Sequence, residues 1–538
     1  MLWACSSMAA QRFEISFPAE ASAAPLDGRV LLLVSTKEQP EPRFSINFTS
    51  TTQQAFGIDV DGLAPGSPAL VDGAALGYPR DSLKQIAAGD YWVQGFLNIY
   101  ETFHLANGHT VKLPPDKGEG QHWQSKPGNL YSAPQKVHLD PASNEVIRMS
   151  LTKKVPDVPA PDPDTKWVKH VKIRSDLLSK FWGRTVELGA VLLLPDEWEE
   201  HPKARYPLVV LQSHFSRGLG GSLAFQTTPG KGNGYKLYQD WTTGRMPRVI
   251  IMTIQHANPY FDDSYAVNSA NVGPYGDAII QELIPYVERK FRGIGEGWAR
   301  AVYGGSTGGW EALASQVFYP DFYNGAWVFC PDVVDFRAYM TMDLYKDKNA
   351  YWIEGPFARV PRPAAREADG LLASTMEQMN RFELVMGTKG RSAEQLDAWQ
   401  AVFSTAGDDG YPTPIFNKLT GEIDHKVADY WKEHYDLTHI MERDWASLGP
   451  KLAGKLHICV GDADSFYLDR AVHLLQDFME STTTPYYRGT FDFGARKPHC
   501  YAGAFDPKVG LTQHYVPDMV KHMEGTAPKG ADLASWKY

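Results

Sequence analysis

Residues 299–318 read ARAVYGGSTGGWEALASQVF. The start, Ala299 to Tyr303, has the composition of a short buried strand, and Trp310 to Phe318 carries apolar residues at helical spacing. Between them lies Gly304-Gly305-Ser306-Thr307-Gly308, a Gly-X-Ser-X-Gly turn. A serine hydroxyl is a weak nucleophile at neutral pH. It becomes useful when a sharp strand-to-helix turn projects it and a nearby imidazole accepts its proton. Glycine on either side leaves room where a Cβ would strike the adjacent strand. The spacing therefore predicts a nucleophile at Ser306 on a mostly parallel sheet.

Outward from this turn, strands alternate with helices, the pattern of a sheet covered on both faces. The strand candidates are Val186 to Leu194, Pro207 to Leu211, Val249 to Ile254, Gly325 to Phe329 and Lys455 to Val460. Gly276 to Phe291 reads as a helix leading into the Ser306 strand. The interval from about 332 to 450 is too long for a plain connection and must carry its own structure. Leu371 to Val385 and Lys426 to Arg443 look helical, so this interval is expected to form a helical cap insertion over the site.

Ahead of this region the reading changes. Gly28 to Ser35, Arg43 to Asn47, Ala55 to Val60, Asp90 to Tyr100, Thr110 to Leu113 and Glu145 to Leu151 are short strand candidates rich in β-branched and aromatic residues. They predict an all-β, immunoglobulin-like sandwich. Val155 to Asp164 carries four prolines, which favour an extended connection. The expected organisation is an export-signal remnant at 1–11, a β-sandwich domain at 12–154, a Pro-rich linker at 155–165 and an α/β-hydrolase catalytic domain at 166–538. The first of these expectations points to a periplasmic or extracellular location, with the cytoplasm as the alternative.

Bulk composition narrows the partners. The 538 residues are 43% apolar and 22% charged, ordinary values for a folded chain. A net charge of -10 gives no basic footprint for nucleic acid. No run approaches the roughly 20 apolar residues of a membrane span. Four cysteines without a Cys-X-X-Cys pair suggest neither a disulfide scaffold nor structural zinc. Cys330, Cys459 and Cys500 lie at the expected catalytic end of the sheet, where they are either free thiols or joined in one bridge. The oligomeric state is left open, a dimer included.

The partners of Ser306 follow in chain order. Asp464, in Val460-Gly461-Asp462-Ala463-Asp464-Ser465-Phe466, sits just past an apolar strand and is the expected acid, with Asp462, Asp332 and Asp335 as alternatives. His499, in Arg496-Lys497-Pro498-His499-Cys500, follows a candidate final strand, Tyr487 to Phe493, and is the expected base, ahead of His514 and His522. Oxyanion donors are expected from the backbone amides of Thr307 and Phe215, with Ser216 as the alternative to the latter. His214 and Trp310 are the expected substrate contacts. No metal or organic cofactor is implied.

The segments around His214, Gly273 to Glu288 (GPYGDAIIQELIPYVE), Ser306, Asp464 and His499 resemble the putative esterase family, related to esterase D and enterochelin esterases. The resemblance spans most of 166–538 and implies an α/β-hydrolase fold with a triad of Ser306, Asp464 and His499. It also implies a serine esterase that cleaves a small-molecule or polymer-attached carboxylic ester through an acyl-enzyme intermediate. Acyl transfer or peptide cleavage by the same triad is the first alternative, and a non-catalytic binding protein on the same fold is the second. Phe215, where glycine is common, and the long insertion depart from the short-looped members.

Overall fold

Residues 166 onward supply nearly continuous apolar runs, and such runs are stable only as strands buried on both faces. The computed structural model, which describes residues 11–220, 223–230, 232–505 and 509–538, gathers them into one eight-stranded sheet. Its strands are β1 (Val168–Ser175), β2 (Val186–Leu193), β3 (Leu208–Gln212), β4 (Ile250–Gln255), β5 (Arg300–Gly305), β6 (Ala326–Phe329), β7 (Leu456–Gly461) and β8 (Thr490–Gly494). The order across the sheet is β1-β2-β4-β3-β5-β6-β7-β8. Strand β2 pairs antiparallel with both neighbours, and all later pairings are parallel.

This order matters for chemistry. Parallel strands present their carboxyl ends, and the loops that follow them, on one edge of the sheet. The loops after β3, β5, β6, β7 and β8 therefore meet in one place. Helix α1 (Thr307–Phe318) follows β5 directly and is buried along almost its whole length. One apolar cluster contains Val210, Val302, Val328 and Ile458 on one face of the sheet. A second holds Val209, Ala301, Phe329 and Cys459 on the other face, with Val516 and Met519 of helix α2 (Leu511–Thr526).

Residues 12–154 are β-rich. A three-stranded sheet (Val146–Ser150, Arg12–Ser16, Ala69–Val71) and a larger one containing Leu26–Ser35, Gln54–Leu63 and Gly89–His104 share a core that includes Phe13, Ile15, Val30, Leu32, Phe56, Val93 and Met149. Contrary to expectation, Arg43 to Asn47 forms no strand: Pro42–Phe44 is a turn of 3-10 helix. Proline fixes φ and lacks the N–H a ladder needs. This region packs on the 332–450 interval. The buried Arg29 donates to the carbonyls of Val385 (3.0 Å) and Leu384 (3.2 Å) and pairs with Asp59 at 3.2 Å. Arg391 reaches the other oxygen of Asp59, also at 3.2 Å.

Inside the interval, the helix expected over Leu371 to Val385 starts only at Met376 and runs to Met386, with Leu372–Thr375 paired as a strand ahead of it. Thr375 sets that start through a full capping box with Gln378. The helix expected over Lys426 to Arg443 is two helices, His425–Tyr435 and Leu437–Leu452. Asp436 separates them because it caps the second from an extended conformation. Among the described residues no helix is long and apolar enough to cross a membrane. The expected signal remnant lies almost wholly outside the described residues.

Candidate active site

The carboxyl end of strand β5 is crowded at Gly304, while a Cβ on Gly305, its last residue, would meet nothing nearer than 3.7 Å. A Cβ on Gly304 would lie 2.3 Å from the Gly308 carbonyl oxygen and 2.6 Å from that of Gln212, and one on Gly308 would lie 2.0 Å from the same Gln212 oxygen. No side chain fits there. The chain then turns through Ser306 at φ 57° and ψ -125°, and helix α1 begins at the next residue. Positive φ is costly for an L-residue and persists only where its surroundings dictate it. The turn is pinned by Ser306 N–H donating to the Phe329 carbonyl at 3.0 Å, and by Gly309 N–H donating to the Ser306 carbonyl at 2.9 Å.

Two loops bring polar groups to this hydroxyl. The loop after β8 carries His499, whose Nε2 is 2.8 Å from Ser306 Oγ. The loop after β7 carries Asp464, whose Oδ2 is 2.7 Å from His499 Nδ1. Asp464 is 0% exposed, and its Oδ1 accepts from the backbone N–H groups of Phe466 (2.9 Å) and Leu468 (3.3 Å). These bonds fix the carboxylate, and the carboxylate fixes the ring. Phe466 adds an edge-to-face contact on His499 at 5.1 Å. Burial works against charge on His499, but the Asp464 hydrogen bond and the adjacent Cys500 outweigh it and hold the imidazole above its ordinary range. Such a chain can draw a proton from Ser306 and stabilise the resulting imidazolium.

The other acid candidates are committed elsewhere. Asp332 is buried, and its Oδ2 accepts from Tyr265 Oη (2.7 Å), Thr307 Oγ1 (2.9 Å), Gln395 Nε2 (3.0 Å) and Trp399 Nε1 (3.3 Å). Asp335 caps a short helical turn and pairs with Arg337 at 2.6 Å. Asp462 accepts from the Arg496 backbone N–H at 2.5 Å. His514 and His522 lie on α2, against Phe505 and Trp327 respectively.

The end of β3 lies against the same turn through the Gln212 carbonyl, and the loop after it starts there. Its Phe215 turns its ring toward Gly120 of the β-rich region, where a Cβ would fall 2.1 Å from Phe215 Cδ1. His214 is held by two carboxylates, with Nδ1 at 3.0 Å from both Asp262 Oδ1 and Asp263 Oδ2. Partial loss of solvation opposes its charge, yet the paired acids keep it well above the usual histidine range. The expectation that Trp310 contacts substrate does not fit its place. It is 0% exposed and packs on Tyr265 and Phe403, because the fourth residue of α1 points into the core.

Sequence reasoning missed Arg366, whose Nε donates to the Asp464 carbonyl at 2.8 Å from nearly a hundred residues away. It also missed the ring of donors around Asp332. Nothing local marks either, since their partners become neighbours only on folding. Cys330, Cys459 and Cys500 are free thiols.

Residues 185–470, just over half of the chain, match the family model described as "Putative esterase". No curated protein matches the chain. Among solved structures, a ferulic acid esterase is 14% identical with a TM-score of 0.36, covering 66% of this chain and 99% of its own. An S-formylglutathione hydrolase from Agrobacterium tumefaciens is 12% identical with a TM-score of 0.33, covering 67% and 97%. MPT51 from Mycobacterium tuberculosis is 12% identical with a TM-score of 0.36, covering 67% and 100%. On the strength of the family match, this chain belongs to the "Putative esterase" family and is an ester hydrolase.

Proposed function

We propose that the chain hydrolyses its ester through an acyl-enzyme intermediate, with Ser306 as nucleophile, His499 as general base and acid, and Asp464 as the group that orients His499. The observation that carries this is the continuous hydrogen-bonded chain from Asp464 Oδ2 through both nitrogens of His499 to Ser306 Oγ. Ser306 Oγ attacks the ester carbonyl carbon while Nε2 takes its proton. The tetrahedral oxyanion accepts hydrogen bonds from the backbone N–H of Thr307 and that of Phe215, with Ser216 as the alternative second donor. Collapse expels the alcohol, protonated by His499. Water then repeats the sequence on the acyl group and restores Ser306.

In this reading residues 12–154 are an immunoglobulin-like sandwich joined by the 155–165 linker to an α/β-hydrolase domain, 166–538. Residues from about 332 to 450 act as its cap. Support for the cap comes from Gln395 and Trp399, which belong to this interval and bond Asp332 beside Thr307. His214 contacts substrate from the loop after β3, and the substrate is a small-molecule or polymer-attached ester. The test is stoichiometric labelling by a fluorophosphonate. One adduct per chain, on Ser306, is expected, and active protein left unlabelled there would reject the assignment.

A further inference from the structure

Ser306 is flanked by two thiols that the acyl chemistry does not use. Cys330 follows β6 directly, and a Cβ on Gly305 would stand 3.8 Å from its sulfur. Cys500 follows His499 in the loop after β8. The two sulfurs and a ring nitrogen of His499 all lie within 4.8 Å of one another. Cys330 is buried and Cys500 is exposed, so the cluster is backed by the core and open to solvent on one side. Both cysteines sit at positive φ, 37° and 66°.

Two sulfurs and an imidazole are the donors that borderline-soft divalent cations prefer, and zinc takes them in a tetrahedron. With Zn–S near 2.3 Å and Zn–N near 2.0–2.1 Å, donor atoms in such a tetrahedron stand about 3.6–3.8 Å apart. Inward movement of about 1 Å from the observed limit reaches that spacing. The imidazole is already oriented for the task. Its Nδ1 is held by Asp464 at 2.7 Å, which leaves the Nε2 lone pair to ligate. A carboxylate behind a histidine in this way is the usual outer support of a zinc ligand.

We infer that Cys330, Cys500 and His499 form a binding site for a thiophilic divalent cation of the zinc type, and that its occupancy arrests the hydrolase. On binding, the two thiols release their protons to solvent and the metal takes the Nε2 lone pair that faces Ser306. A water molecule or the Ser306 oxygen completes the tetrahedron. The proton of Ser306 then has no acceptor, so turnover stops without any change in the fold. The inhibitory half of this inference rests on the proposed role of His499 as base; the metal site itself does not.

The test uses the full chain with a phosphine reductant, which keeps the thiols reduced. Cobalt(II) is expected to bind one per chain and to give a thiolate-to-cobalt charge-transfer band. Zinc is expected to displace it, to abolish ester turnover in step with occupancy, and to be reversed by a chelator. Cys330→Ser and Cys500→Ser, each scored against its own metal-free turnover, should bind zinc at least about tenfold more weakly. Cys500→Ser is the decisive variant because an exposed position tolerates the change. Absence of the charge-transfer band, or zinc inhibition undiminished in Cys500→Ser, would overturn the site. A band that appears while zinc leaves turnover intact would instead reject the arrest and the assignment of His499 as base, with Ser306 labelling reporting separately on the nucleophile.

Discussion

Two histidines at the carboxyl edge of the sheet, His499 and His214, rest on aspartates, and they differ in what lies beyond the ring. His499 has its Nδ1 on Asp464 and its Nε2 on Ser306 Oγ, and its side chain is 14% exposed. His214 has its Nδ1 between Asp262 and Asp263, its side chain is 45% exposed, and none of its contacts is with a nucleophile. One carboxylate orients and polarises a ring that can still exchange its proton. Two carboxylates on the same nitrogen fix the charge in place. A histidine–aspartate pair is thus a general base only where its second nitrogen meets a group worth deprotonating.

Removing the proposed nucleophile should mark the difference most strongly. Ser306→Ala is expected to lower kcat on the order of a million-fold, measured with an activated ester, while the melting temperature stays close to the parent's. Next, Asp464→Asn should lower kcat about 10⁴-fold, because the amide holds the ring in the wrong tautomer. If Asp263→Asn had a comparable effect, the distinction between the two pairs would collapse; a loss confined to stability and KM is expected instead.

The pH profile sharpens the same contrast. His499 must be neutral to accept a proton, and its pKa is raised, so kcat/KM measured with a chelator present should climb with pH along a limb above the ordinary histidine value of about 6.5. Asp464→Asn removes a main cause of the rise and should move the residual limb to lower pH. His214 should stay protonated through neutral pH in proton NMR, as its two acids require. A His214 titration at the ordinary value would break the comparison. The smallest effect is expected at Phe215. Its proposed contribution is a backbone N–H, so Phe215→Ala should fall well short of the roughly 10²–10³-fold loss in kcat that removing an oxyanion donor causes.

The parts of this site that are legible in the sequence are those encoded by neighbours in the chain. The apolar run, the glycines at 304 and 308 and the helix after them specify Ser306 within a few residues. The strand-then-acid and strand-then-histidine patterns similarly point to Asp464 and His499. Arg366 escapes notice because its partner is a backbone carbonyl almost a hundred residues on, and a carbonyl has no sequence signature. Trp310 shows the converse error. An aromatic residue near a nucleophile suggests a pocket wall, but helix geometry directs that position into the core. In the β-rich region, Pro42 decides the local structure at a place where the surrounding residues resemble a strand.

Asp332 carries a further consequence for redesign. Its buried carboxylate is surrounded by hydrogen-bond donors from the loop after β4 (Tyr265), helix α1 (Thr307) and the long interval (Gln395, Trp399). Excising that interval to obtain a minimal enzyme would strip two donors from an interior charge, a change that usually costs several kcal/mol. The interval behaves as a keystone and not as a detachable accessory. The part of the interval that can be exchanged without disturbing this anchor is the exposed hairpin Trp352–Glu354 and Arg359–Pro361, whose tip residue Phe357 is almost fully solvent-exposed.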